Sequence, residues 1–272
     1  MQDHKNNKLN TAFFHLLRPL ARLFLRFGRG YREYSELSKN AFVAVASEDY
    51  GVHGRPTNVS RIAAMTGLTR KEISRIRGRI ERGEGAVVER GTPVQEVIEG
   101  WRANEEFLDA DGEPAALPID GSTGSFRSLI KQYAGDIPEG AMKKELQRIG
   151  AVECDGHSLT LQPADPGIQE AEELMAAQLR AGPYPLLAAM ARNETVTREE
   201  DQWPQQTVTR NTIRRSDIRR VRKLVSVRLR ATTTNIADLL DAYAALHNGD
   251  SDEKLVPVSA GVFYAEGIDT DD

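Results

Sequence analysis

Residues 55–82 read RPTNVSRIAAMTGLTRKEISRIRGRIER, and no other stretch restricts the possible folds so strongly. Ala63 is followed four residues on by Gly67, six further on by Ile73 and three beyond that by Ile76. This spacing fits two short helices crossing at a tight turn. A small residue at 63 lets the second helix pass close over the first, and glycine at 67 takes the positive φ that the turn requires. Ile62, Leu68, Ile73 and Ile76 then face inward. Thr69 and Glu72 have capping-box spacing and fix the start of the second helix. Pro56 with Thr57 or Asn58 opens the first helix, and Gly83 and Gly85 close the second. The expectation is a helix-turn-helix.

That frame assigns the outward positions. Thr69, Arg70, Lys71, Ser74, Arg75, Arg77 and Arg79 are expected to meet DNA, where a recognition helix reaches base edges. Arginine suits bidentate contact with guanine, and serine or threonine suits phosphates and less specific edges. Arg82 extends the positive surface toward phosphates. Residues 70–82 hold six lysines and arginines against Glu72 and Glu81. The alternative is a protein-docking module of the same shape that never touches DNA.

Charge is unevenly distributed along the 272 residues. Residues 1–90 carry 17 cations against 9 acids, residues 91–180 carry 7 against 17, and the whole chain is at −4. A basic front on a near-neutral chain is the asymmetry expected of a polyanion-binding part. Within it, residues 11–27 read as an amphipathic helix, with Phe13, Leu16, Leu17, Leu20, Leu23, Phe24 and Phe27 on one face. Arg18, Arg22, Arg26 and Arg29 form a basic stripe on the other, and Arg18, Arg22 and Arg26 are expected to contact phosphates. The same pattern also fits a helix lying on a membrane surface, or simple packing on a second helix at 31–47. Pro19 should kink the first helix or mark its first turn.

A second module of similar shape follows at 125–162. Phe126, Leu129, Ile130 and Tyr133 mark one helix, and Met142, Leu146 and Ile149 another. Asp155-Gly156 then reads as a hairpin turn between 151–152 and 159–161. This order looks like a winged helix, with a structural or dimer-contacting role favoured by its acidic surroundings. Residues 92–107 read as a helix of the N-terminal domain, and the acidic, proline-containing stretch 109–124 as a linker.

In the last third, helices are expected at 162–182 and 185–192, and strands at 205–213 and 256–264 from their alternating pattern. Between those strands lies a helix at about 214–247, roughly 50 Å long. Its apolar residues, from Ile218 to Leu246, step by three and four, as in a helix–helix seam. Homodimerisation through it is the functional reading, and packing over the two strands the alternative. Residues 267–272 form an acidic tail, expected to be disordered.

The expected architecture is therefore mainly α with small β parts: a helix-turn-helix domain at 1–108, a linker, a winged-helix-like module at 125–162, an α+β region with a long helix at 163–266, and the tail. Cys154 is the only cysteine, which excludes an intramolecular disulfide and a zinc finger. Cys154 and His157 flank the hairpin turn without a second pair of ligands, so no metal is expected. No run of 18 apolar residues occurs, and no leader is evident. HExxH, GxSxG and the dinucleotide fingerprint are absent. The glycine-rich 121–125 lacks the lysine of a phosphate loop. The expectation is a reduced, cytoplasmic, non-enzymatic protein without cofactor, integral membrane association or inferable small-molecule ligand.

The chain resembles a family of uncharacterised bacterial proteins defined by a domain of unknown function with a helix-turn-helix. The likeness rests on LLRPLARLFLRFG, YREYSELSKNAFVAVA, GRPTNVSRIAAMTGLTRKEISRIR, SFRSLIKQYAGDIPEGAMKKELQRIGAV and the closing GVFYAEG. Through Ala63, Gly67, Ile73 and Ile76 it also resembles winged-helix transcription regulators, although no receiver domain or ligand-pocket motif accompanies them. The resemblance implies no more than the helix-turn-helix; the residues themselves lead to the expectation of a dimeric, sequence-specific regulator of transcription acting on double-stranded DNA. The rival is an interaction scaffold built from tandem helix-turn-helix modules without DNA binding.

Overall fold

A computed structural model describes residues 2–51, 56–84, 91–163, 166–246 and 255–268. Gly85 and four of the six tail residues lie outside that range. The described chain is mainly helical with one small three-stranded sheet, and it divides into two units, Met1–Asp165 and Pro166–Asp272.

The first unit opens with α1 (Gln2–Arg26) and α2 (Tyr31–Glu48). α1 starts earlier than its apolar period predicts, and Pro19 lies inside it without ending it. α3 (Val59–Thr66) and α4 (Arg70–Glu81) follow, joined by three residues. The Asn58 side chain accepts the Arg61 N–H at 2.9 Å and starts α3. Gly67 ends it at φ +73, its N–H reaching the Ala63 carbonyl at 2.9 Å. Thr69 Oγ1 accepts the Glu72 N–H at 3.2 Å and starts α4. Val43 and Ala46 of α2 pack with Ile62, Ile73 and Ile76 as one core.

A second core lies in the same unit. It takes in α5 (Pro93–Ala103), β1 (Leu117–Pro118), α6 (Phe126–Tyr133), α7 (Glu139–Arg148), β2 (Val152–Cys154) and β3 (Ser158–Leu161). The strand order is β1-β3-β2, all antiparallel, with Leu117 opposite Leu159 and Cys154 also opposite Leu159. Two expectations are corrected here. Residues 109–124 are no free linker, because Leu117 is buried in the core and β1 completes the sheet. The helix at 92–107 belongs to this second core through Val97, Trp101 and Phe107, not to the α2–α4 core. Trp101 Nε1 donates to the Ala115 carbonyl at 3.0 Å, which ties α5 to the stretch leading into β1. Gly100 is required where α5 meets α6, since a Cβ there would stand 2.5 Å from the Tyr133 ring.

The β2–β3 hairpin forms where the Asp155-Gly156 pair predicts a turn. The Asp155 carboxylate accepts the His157 and Ser158 N–H groups at 2.9 and 2.7 Å. Those bonds hold it down to about 2.

The second unit holds α8 (Pro166–Ala181), α9 (Pro183–Asn193) and α10 (Ile218–Leu246). The strands expected at 205–213 and 256–264 do not form. Both stretches carry no regular structure and stay almost wholly exposed. Alternation alone stabilises no strand when no neighbour completes the ladder. The α+β expectation for this region is corrected accordingly: among its described residues the regular structure is helical.

Candidate nucleic-acid interface

The turn between α3 and α4 decides which way each α4 side chain points. Ile73 and Ile76 face the core, so the opposite side of the helix turns to solvent. Thr69, Arg70, Lys71 and Ser74 are exposed there, all within the first turn and a half. No acidic residue shares those positions. The helix N-terminus adds the positive end of its dipole, which favours an anion approaching at Thr69–Lys71. Arg61 on α3 is a further exposed cation, outside the positions that the helix-turn-helix spacing assigns to DNA contact.

Three of the expected contacts are placed differently. Arg79 is buried, with 6% of its surface exposed, and cannot reach a duplex. Counting three on from Ile73 and Ile76 puts it on the inner face of α4. Arg75 turns toward α2, its Nη2 lying 3.4 Å from a Glu36 carboxylate oxygen. Arg77 donates to the Thr57 carbonyl at 3.2 Å and lies 3.7 Å from Glu81. Arg75 and Arg77 therefore tie α4 to its neighbours. Arg82 is exposed just beyond α4 and is paired with Glu84.

The capping box is only half formed. Instead of reaching back to the Thr69 N–H, the Glu72 carboxylate meets Lys39 Nζ at 2.9 Å. Lys39 also donates to Glu36 at 2.8 Å. Glu36, Lys39, Glu72 and Arg75 thus form one ionic cluster clamping α4 on α2. The Lys39 hydrogen bond, aided by Arg75 and opposed by burial, holds the Glu36 carboxyl below its ordinary value, while Glu36 and Glu72 raise Lys39. A depressed carboxylate stabilises the fold at pH values above its unfolded pKa and loses that contribution as pH falls through the folded value. Thermal melts of Glu36→Gln should therefore lie below those of the parent at pH 6, by about 1 kcal/mol or less. The two should converge as pH falls through the folded value, which lies below the ordinary glutamate range.

The second module presents a different surface. Arg127 is engaged by Asp120 and Glu139, both at 2.6 Å. Arg148 is held by Glu145 and by the Leu25 carbonyl of α1. Lys143 faces Cys154, and its ammonium, with the Gly156 N–H, pulls the thiol below its ordinary value. Among the described residues no group of three His, Cys, Asp or Glu side chains could hold a metal ion.

On α1, Arg18, Arg22 and Arg26 are exposed at successive four-residue steps, and among the described residues none meets an acid. Arg18 instead lies over the Phe14 ring, 5.9 Å from its centroid.

A family model, Family of unknown function (DUF6502), matches residues 7–159. The chain belongs to this family. The match runs from α1 into β3 and contains every candidate residue named above, whereas the second unit lies outside it. The family-defining part is thus the part with both packed cores and the exposed α4 surface. No curated protein and no solved structure matches the chain.

Proposed function

We propose that this protein binds double-stranded DNA sequence-specifically, as a dimeric transcriptional regulator. In this reading α3 and α4 form a helix-turn-helix, and α4 enters the major groove by its N-terminal turns. The observation that carries it is the outward cluster of Thr69, Arg70, Lys71 and Ser74 at an exposed helix N-terminus. The ionic cluster with α2 supports it, because a reading helix must be held rigidly on its scaffold. The element order of the second module (helix, strand, helix, helix, hairpin) supports a winged-helix reading for that part. Its arginines, Arg127 and Arg148, are engaged by neighbouring groups, which favours a structural or dimer-contacting role there. Titration of DNA binding against salt tests the reading: log affinity should fall steeply with log salt as phosphates release counterions. A flat line assigns the α4 surface to a protein partner and supports the scaffold alternative.

The dimer reading rests on α10. No residue of this 29-residue helix is buried. Ile218, Val221, Val225, Leu229, Thr232, Ile236, Leu239, Tyr243 and Leu246 make an apolar stripe whose steps average about 3.5 residues, the period of a two-helix seam. Leu239, Tyr243 and Leu246 are open to solvent. Changing Leu229 and Ile236 together to glutamate should convert a dimer into a monomer in sedimentation equilibrium, a shift of more than tenfold in the dissociation constant. Unchanged mass would remove the seam from the proposal.

A further inference from the structure

α1 carries a surface that the α4 reading leaves unused. Leu9, Phe13, Leu16 and Leu17 share one helix face and are 58%, 54%, 46% and 39% exposed. Further along the same face, Phe24 packs edge-on against Tyr34 of α2, ring centroids 5.7 Å apart. The Leu25 carbonyl accepts from Arg148 at 2.9 Å. The C-terminal end of α1 is thereby fixed to α2 and α7, and the face formed by Leu9, Phe13, Leu16 and Leu17 stays bare. Between Asp3 and Glu33 the sequence has seven lysines and arginines and no carboxylate.

We propose that α1 seats the protein on an anionic phospholipid surface, with Leu9, Phe13, Leu16 and Leu17 in the boundary between headgroups and acyl chains. Charge complementarity selects this occupant. A DNA backbone would use Arg18, Arg22 and Arg26 but leave the apolar face in water. A second copy would cover the apolar face but bring two carboxylate-free cationic segments together. An anionic bilayer satisfies both: the leucines and phenylalanines enter the interface, and the cations stay within about a Debye length, roughly 8–10 Å, of the lipid phosphates. No helix among the described residues is long and apolar enough to cross a membrane, so α1 lies on the surface. This inference does not depend on α4 and stands or falls without the DNA reading.

The test is flotation of the full chain with phosphatidylcholine vesicles and with vesicles of phosphatidylcholine and phosphatidylglycerol in roughly equal parts. The protein should float with the mixed vesicles, much less with the neutral ones, and be released by salt. Phe13→Glu with Leu16→Glu should abolish flotation while circular dichroism and DNA affinity stay unchanged. Arg18→Gln and Arg22→Gln, which leave the apolar face intact, should each weaken partitioning roughly fivefold. The proposal is overturned by failure to float with the anionic vesicles, or by equal flotation with neutral ones. It is also overturned if the Phe13/Leu16 variant still floats but loses self-association, which assigns the face to a second copy. Loss of duplex affinity in the arginine variants without any effect on flotation assigns the stripe to DNA and likewise overturns it.

Discussion

Replacing Arg70 and Lys71 with alanine should lower affinity for a specific duplex and reduce the log–log salt slope by about 2, close to one unit for each lost cation. If Arg70 contacts a base edge bidentately, its removal alone costs about 1–3 kcal/mol, roughly a 5- to 150-fold loss, and relaxes preference at one base pair. Fluorescence anisotropy with the preferred duplex and single-base variants, across a salt series, separates the two contributions. Arg75→Ala is the contrast. Arg75 is spent on Glu36, so this change should lower thermal stability by about 1 kcal/mol or less while leaving the base preference intact. Equal loss of preference in the Arg75 and Arg70 variants would mean that α4 meets DNA by a different face from the one exposed here.

Trp101→Ala should be the most damaging single truncation in the protein. The side chain is fully buried, packs near Phe126 with ring centroids 6.2 Å apart, and donates to the Ala115 carbonyl. Its loss opens a large cavity and strands that carbonyl, at a cost of about 3–5 kcal/mol. For a unit of this size the melting temperature should drop by roughly 10 °C or more. Because the α2–α4 core shares no buried residue with the Trp101 core, amide exchange should quicken first in α5–α7 and the hairpin. Uniform acceleration through α3 and α4 would show instead that the two cores unfold as one.

What could be read from the sequence was mostly local. The α3–α4 turn depends on Asn58, Gly67 and Thr69, each acting within four residues, so its geometry is written in a short stretch of chain. The apolar faces of α4, α6 and α7 emerge for the same reason. Arg79 lies inward because its spacing from Ile73 and Ile76 outweighs its charge as a guide to exposure. Arg75 and Glu72 find their partners on α2, more than thirty residues earlier, where no motif spacing reaches. Leu117 joins the sheet through Leu159, beyond two intervening helices, and a lone leucine in an acidic stretch gives no sign of that. At 205–213 the sequence alternates as a strand would, but the neighbour a strand needs is absent among the described residues.

The strand order β1-β3-β2 has a consequence for biosynthesis. The middle strand is the last to be made, so in a chain emerging from the ribosome the segments that become β1 and β2 have no partner until residue 161 has cleared the exit tunnel. Throughout that interval their backbone groups can pair with other nascent chains. Any slowing of translation between β2 and β3 would lengthen this exposure, and a product terminated before Ser158 could not close the sheet at all.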